Sequence, residues 1–144
     1  MNVSADLGLA FPLLILAVGA LLLLVLGAFS PRSTTAICAA AVVALLGAAV
    51  AAATAPLGRA FGGGLVSDAA SAFGQVAIYV ASAIAIPLGQ PWYERRGVRN
   101  FEFPVLVLLA ALGMGMMVCS GDLISLYVGV ELHSLALRAG GHVP

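Results

Sequence analysis

Charge is what this chain lacks most. Charged residues make up 8% of its 144 positions, against about 25% in ordinary soluble domains. Lysine is absent altogether, and six arginines are balanced by six acidic residues, so the formal net charge is zero. The chain therefore has no basic surface of the kind that binds nucleic acid, and we expect no nucleic-acid partner.

Cysteine is also scarce, and the motifs of cofactor chemistry are missing. Cys38 and Cys119 lie in apolar stretches without the neighbouring His or Cys residues of a metal or redox motif, so we predict two buried thiols. The glycine triplet at 62–64 lacks the Gly-Lys-Ser/Thr ending of a phosphate-binding loop. We instead predict a flexible interhelical loop over 58–68, with no metal or redox cofactor on this chain.

Apolar residues are abundant. They occupy 62% of the positions, against about 45–50% in soluble domains. The first apolar run covers about 23 residues without a preceding positive charge, which is too long for the ~7–15-residue core of a signal peptide. The sequence predicts an all-α, polytopic transmembrane bundle of about five helices, spanning 7–29, 36–56, 71–88, 101–120 and 123–137.

The arginines are distributed unevenly about these five spans. Alternating the helices across a membrane places five arginines on one side and only Arg59 on the other. The positive-inside rule then predicts an N-terminus outside the cytoplasm. The charged segment 90–100 is predicted to be a loop at the membrane surface, where Trp92 and Tyr93 serve as interfacial anchors.

Polar residues in the third span share one helix face. Gln75, Tyr79 and Ser82 follow i, i+4, i+7 spacing, which predicts a face directed at protein rather than lipid. Two interpretations stay open, a polar seam or ordinary interhelical hydrogen bonds.

Two helix starts carry capping signals. Asn100 can cap the fourth helix, with Glu102 in its first turn, where a negative charge favours the helix dipole. Asp122 is placed to accept the Ser125 N–H at the start of the fifth helix, so we predict a structural role for it.

Glu131 is the predicted functional residue. It is a lone carboxylate inside the fifth apolar run, and an ionised side chain at bilayer depth costs at least about 2.5–3.5 kcal/mol. Such residues usually face a bundle interior, a partner or a proton path; a position near the membrane surface is the alternative. Tyr127 and Ser134 share its helix face and could hydrogen-bond it. His133 points elsewhere, which favours a packing or interhelical role over a proton relay.

The fifth span is short. From 123 to 137 is about 15 residues, or ~22 Å, less than the ~30 Å hydrocarbon core. Two helix-weakening glycines follow, so we expect an incomplete fifth helix and an aberrant tail over 138–144.

The segments 101–114 (FEFPVLVLLAALGM) and 120–137 (SGDLISLYVGVELHSLAL) closely resemble the subunit N family of bacterial NADH:quinone oxidoreductase. That family is related to mitochondrial NADH dehydrogenase subunit 2, in the proton-translocating, antiporter-like membrane arm of respiratory complex I. The resemblance is specific over 101–137 and looser upstream. It implies that Glu131 matches a glutamate which works with lysines on later helices as a chain of titratable groups. Gln75 departs from the family, which often has lysine there.

The resemblance also implies an organisation and a setting. Residues 1–100 would hold helices 1–3 and the interfacial loop, 101–137 the start of the proton-translocating core, and 138–144 the tail. The partners would be other membrane-arm subunits, the lipid bilayer and protons, in a bacterial inner membrane. NADH, FMN, iron–sulfur clusters and quinone would be handled by other subunits.

We therefore expect an N-terminal fragment of a translocase subunit that carries Glu131 but does not pump alone. An interpretation from a different class stays open: a small autonomous membrane transporter or assembly protein. In that case Glu131 would bind a cationic substrate or an arginine of a neighbouring protomer.

Overall fold

Long apolar runs with few helix breakers produce the architecture of this protein. The computed structural model describes residues 2–30, 34–95 and 101–141. These residues form five helices and one small hairpin, which confirms the predicted all-α bundle. The elements are α1 (Val3–Phe29), α2 (Thr34–Thr54), β1 (Gly58–Ala60), β2 (Leu65–Ser67), α3 (Ala69–Arg95), α4 (Glu102–Val118) and α5 (Leu123–Gly141).

Three of the helices, α1, α2 and α3, are long and apolar enough to cross a membrane, while α4 is a shorter apolar helix of 17 residues. Helix α1 begins four residues earlier than predicted because the Asn2 carbonyl accepts hydrogen bonds from the N–H groups of Ala5 and Asp6. The chain is an integral membrane protein by the character of these helices.

The core lies where α1, α2, α3 and α4 meet. Its fully buried side chains include Leu16, Leu45, Ile86 and Leu108. Helix α2 contributes mainly alanines to this core, and such small side chains let neighbouring helices approach closely. The Ala-rich stretch of α2 is therefore packing surface.

Helix α3 is longer than the predicted span. It continues to Arg95 through Pro87 and Pro91, so the predicted loop over 90–100 is wrong for its first half. Gln90 Nε2 donates to Glu94 Oε1 over 3.0 Å, an i, i+4 contact that stabilises the last turn. The rings of Tyr93 and Phe103 lie 4.7 Å apart, which ties the end of α3 to the start of α4.

Helix α4 begins at Glu102, with Phe101 at the N-cap position and no side-chain hydrogen bond there. Glu102 occupies the first turn as predicted. The predicted cap, Asn100, lies outside the described residues.

A β-hairpin replaces the loop that was predicted over 58–68. Strand β1 pairs antiparallel with β2, with Gly58 opposite Ser67. Gly62 and Gly63 make the turn at φ values of 67° and 98°, a region that glycine adopts without steric cost. Strands of three residues are too short for an alternating pattern, so no local pattern predicts them.

The hairpin is joined to the link between α4 and α5. Val66 N donates to the Cys119 carbonyl over 2.8 Å, and Gly121 N donates to the Gly64 carbonyl over 2.9 Å. Leu65 and Ser120 form an isolated antiparallel β-bridge, which lies between these two hydrogen bonds. The α2–α3 and α4–α5 connections therefore lie at the same end of the bundle, as the alternating layout requires.

Helix α5 runs past its predicted end. It continues from Leu123 to Gly141, which is 19 residues or about 28 Å. The predicted stop at Leu137 is wrong because glycine costs a helix only about 1 kcal/mol and does not by itself end one. Of the predicted tail, residues 138–141 are helical and 142–144 lie outside the described residues.

Candidate functional site

Asp122 fixes the start of α5. Its Oδ1 accepts the Ser125 N–H over 2.7 Å, and its carbonyl accepts the Leu126 N–H over 3.1 Å. The hydrogen bonds from the backbone and side chain of Ser125 hold the pKa of the Asp122 carboxyl below its usual range. The predicted structural role of Asp122 is confirmed.

Asp68 caps α3 in the same way, and the sequence reasoning missed it. Its Oδ1 accepts the Ser71 N–H over 2.7 Å, while Ser71 Oγ accepts the Asp68 N–H over 2.9 Å. The hydrogen bonds that the Asp68 carboxyl accepts from the backbone and side chain of Ser71 lower its pKa. The signal was available, because an aspartate followed three residues later by a side chain that bonds back is a capping-box pattern.

The α4–α5 contact brings two backbones together. A methyl group on Gly113 would lie 2.7 Å from the His133 nitrogen and 2.8 Å from the Gly129 carbonyl oxygen. Gly129 and Ala136 are the buried residues of α5. Small residues at both sides of the crossing thus allow α5 to lie directly against α4.

Glu131 lies on the side of α5 that faces away from α4. Its side chain is exposed, and so are those of Ile124, Tyr127 and Arg138. Ile124 and Tyr127 lie seven and four residues before Glu131. The half-buried Ser134 and the exposed Arg138 lie three and seven residues after it. This spacing places all of them along one helix face. We call this stripe the open face of α5. Glu131 therefore does not point into the interior formed by these five helices.

The polar side chains of the open face lie along one side of α5 but form no hydrogen bonds with one another in the described part of the chain. Among the described residues, neither Tyr127 nor Ser134 makes a hydrogen bond to Glu131. The sequence reasoning used Arg138 only to orient the chain and missed that it shares this face, although the seven-residue spacing signals it. A carboxylate on such a face requires a polar or cationic group opposite it in a bilayer.

His133 points toward α4. Its Nδ1 lies 3.4 Å from the Ala110 carbonyl oxygen, and its side chain is half-buried. The predicted interhelical role of His133 is confirmed, and it does not share the open face with Glu131.

The polar face of α3 is buried as predicted. Gln75 and Ser82 are 6% and 7% exposed, and Tyr79 is fully buried. Gln75 Nε2 donates to the Gly115 carbonyl over 3.3 Å, an interhelical hydrogen bond to α4. The buried Tyr79 Oη, by contrast, has no hydrogen-bond partner among residues 2–30, 34–95 and 101–141.

Tyr79→Phe should preserve the fold and raise the free energy of unfolding by about 1 kcal/mol, because a buried hydroxyl without a partner costs ~1–3 kcal/mol. Titration with a denaturing detergent, followed by circular dichroism, measures this change. Gln75→Leu is the matched control on the same face and should lower stability, since it removes the interhelical hydrogen bond from α3 to the Gly115 carbonyl, which then keeps the Cys119 N–H as its donor. Equal losses in both variants would mean that the Tyr79 hydroxyl has a partner.

Curated relatives match the chain along nearly all of its length. A protein named NADH-quinone oxidoreductase subunit N from Rhizorhabdus wittichii is 42% identical over 140 residues, covering 94% of this chain and 29% of the relative. Proteins of the same name from Maricaulis maris and Sphingopyxis alaskensis are 43% and 45% identical, covering 93% and 92% of the chain. The chain spans less than a third of the length of these relatives. No protein-family model matches the chain.

Proposed function

This chain is a sequence relative of NADH-quinone oxidoreductase subunit N and matches part of it, and from that premise we propose that it acts in the membrane arm of a proton-translocating NADH:quinone oxidoreductase. The observation that carries the proposal is the match along 94% of the chain. The five-helix apolar bundle agrees with such a place in a bilayer.

In this proposal Glu131 takes up and releases protons. An apolar surrounding favours the protonated form of a carboxyl group, whereas a nearby cation favours the ionised form. A cation that moves toward and away from the open face of α5 would therefore couple its own position to the binding of a proton. Tyr127 and Ser134 lie one turn away on either side of Glu131 and would supply hydrogen bonds during the transfer.

The proposal assigns the remaining chemistry to other subunits. NADH oxidation, FMN, iron–sulfur clusters and quinone would belong to them, and this chain would contribute proton translocation coupled to electron transfer. Its partners would be other membrane-arm subunits within a bacterial inner membrane.

The proposed orientation places the N-terminus outside. Arg59 lies in β1 at the hairpin end of the bundle, whereas Arg95 and Arg138 lie near the opposite ends of α3 and α5. The positive-inside rule directs the Arg95 and Arg138 end to the cytoplasm.

Single cysteines test this orientation in intact cells. Leu57→Cys, next to the hairpin, should react with a membrane-impermeant thiol reagent added outside, and Glu94→Cys should be protected because it lies at the cytoplasmic end. The native Cys38 and Cys119 are each 6% exposed and should add little background. Labelling of Glu94→Cys alone would refute the N-out orientation.

A further inference from the structure

A small chamber lies beneath the hairpin, where it meets α3 and the end of α4. Its volume is about 10 Å³, and it is lined by Ser67, Ser71, Gln75 and Cys119 together with apolar residues that include Leu9 and Leu65. One water molecule needs about 10–15 Å³ and two to four polar partners. The chamber meets both conditions.

The lining groups have hydrogen-bonding capacity to spare. Ser71 Oγ donates to the Asp68 carbonyl over 3.0 Å and accepts from Asp68 N, which leaves one lone pair free. The Gln75 side chain donates to the Gly115 carbonyl and also interacts with the Cys119 thiol, but among the described residues no group donates to its carbonyl oxygen Oε1. The Ser67 hydroxyl makes no hydrogen bond in the described part of the chain.

We propose that this chamber binds one ordered water molecule. The water accepts a hydrogen bond from the Ser67 hydroxyl and donates one to the free lone pair of Ser71 Oγ, with Gln75 as its third partner. It thereby connects β2 to the polar face of α3. Cys119, which follows the last residue of α4, lines the chamber, and its S–H donates to the Met116 carbonyl over 3.6 Å.

The two native cysteines provide a matched pair of probes. Each is 6% exposed, but Cys119 lines the chamber whereas Cys38 packs in the apolar core on α2. The S–H stretching band of a thiol shifts when deuterium replaces hydrogen, so infrared spectroscopy in D₂O reports whether water reaches each sulfur. Cys38→Ala and Cys119→Ala assign the two bands.

In the full-length chain in detergent micelles, we expect the Cys119 S–H to exchange at least ~10-fold faster than that of Cys38, because a chamber water exchanges with solvent and the core stays dry. Ser67→Val replaces the hydroxyl with a methyl group and adds a second methyl group in the chamber. It should expel the water and slow the Cys119 exchange toward the rate of Cys38.

Ser134→Val on α5 is the control, since it makes a similar change far from the chamber and should leave both rates unchanged. Circular dichroism of each variant verifies that the helices remain formed. Two results would overturn the proposal: equally slow exchange of both thiols in the unmodified chain, or a Cys119 rate that Ser67→Val does not change.

Discussion

Glu131→Gln, introduced at the matching position of a complete subunit N, should reduce proton pumping coupled to NADH oxidation by ~10-fold or more. The amide is close in shape to the carboxylate but cannot titrate, and a positioned proton-transfer group contributes about 10²–10⁴-fold to a rate. Pumping is measured in inverted membrane vesicles as the quenching of a pH-sensitive dye after NADH is added, with NADH oxidation followed in parallel.

Asp122→Asn is the matched control for that experiment. It removes the other carboxylate of the α5 segment, but asparagine caps a helix about as well as aspartate, so α5 should keep its start and pumping should change little. Parental pumping by Glu131→Gln would remove the carboxylate from the proton path. Proton transport by the isolated 144-residue chain in liposomes would instead favour the autonomous transporter.

Gly113→Ala should lower the free energy of unfolding by about 3 kcal/mol, at the upper end of the cost of overpacking a tight interior. The added methyl group meets the backbone atoms of His133 and Gly129, which cannot turn aside as a flexible side chain would. Because α5 packs mainly on α4, this substitution should detach α5 from the bundle. Detergent-induced unfolding measures the loss, and a disulfide between cysteines placed on α4 and α5 should form less readily.

Gly47→Ala is expected to change the free energy of unfolding in the opposite direction. A methyl group at Gly47 on α2 meets nothing within 4 Å, so the substitution should raise stability by about 0.5–1 kcal/mol through helix propensity alone. If Gly113→Ala proves as harmless as Gly47→Ala, the backbones of α4 and α5 do not approach as closely as the structure has them.

Apolar run length predicted the helices well, because crossing a bilayer requires long uninterrupted segments. The boundaries were predicted less well wherever proline or glycine was taken as a stop. Pro87 and Pro91 lie inside α3, and Gly140 lies inside α5, since neighbouring contacts outweigh the local cost of these residues. The hairpin was missed because its three-residue strands are too short for an alternating pattern, and because its further hydrogen bonds reach a link that is distant in the sequence.

Spacing predicted which residues share a face of the candidate site, but not the direction of that face. Tyr127 and Ser134 lie beside Glu131 as expected, and His133 turns toward α4. That Glu131 faces outward depends on the Gly113–Gly129 contact between two helices, which only the folded chain reveals. The helical period determines which residues share a face, whereas tertiary packing determines which face is directed at the neighbouring helix.

The hydrogen bonds between the hairpin and the α4–α5 link tie the start of α5 to the connection between α2 and α3. At the far end, Gly140 and Gly141 border an apolar groove of about 320 Å³ between α4 and α5. Glu131 lies about nine residues, or ~13 Å, along α5 from Asp122, close to the Gly113–Gly129 contact with α4. A tilt of α5 by about 5° about Asp122 would have to open that contact and would displace the Glu131 carboxylate by ~1 Å. A small rotation at the hairpin would be converted into a change in the distance between Glu131 and any charge opposite it, and the strength of their attraction depends directly on that distance.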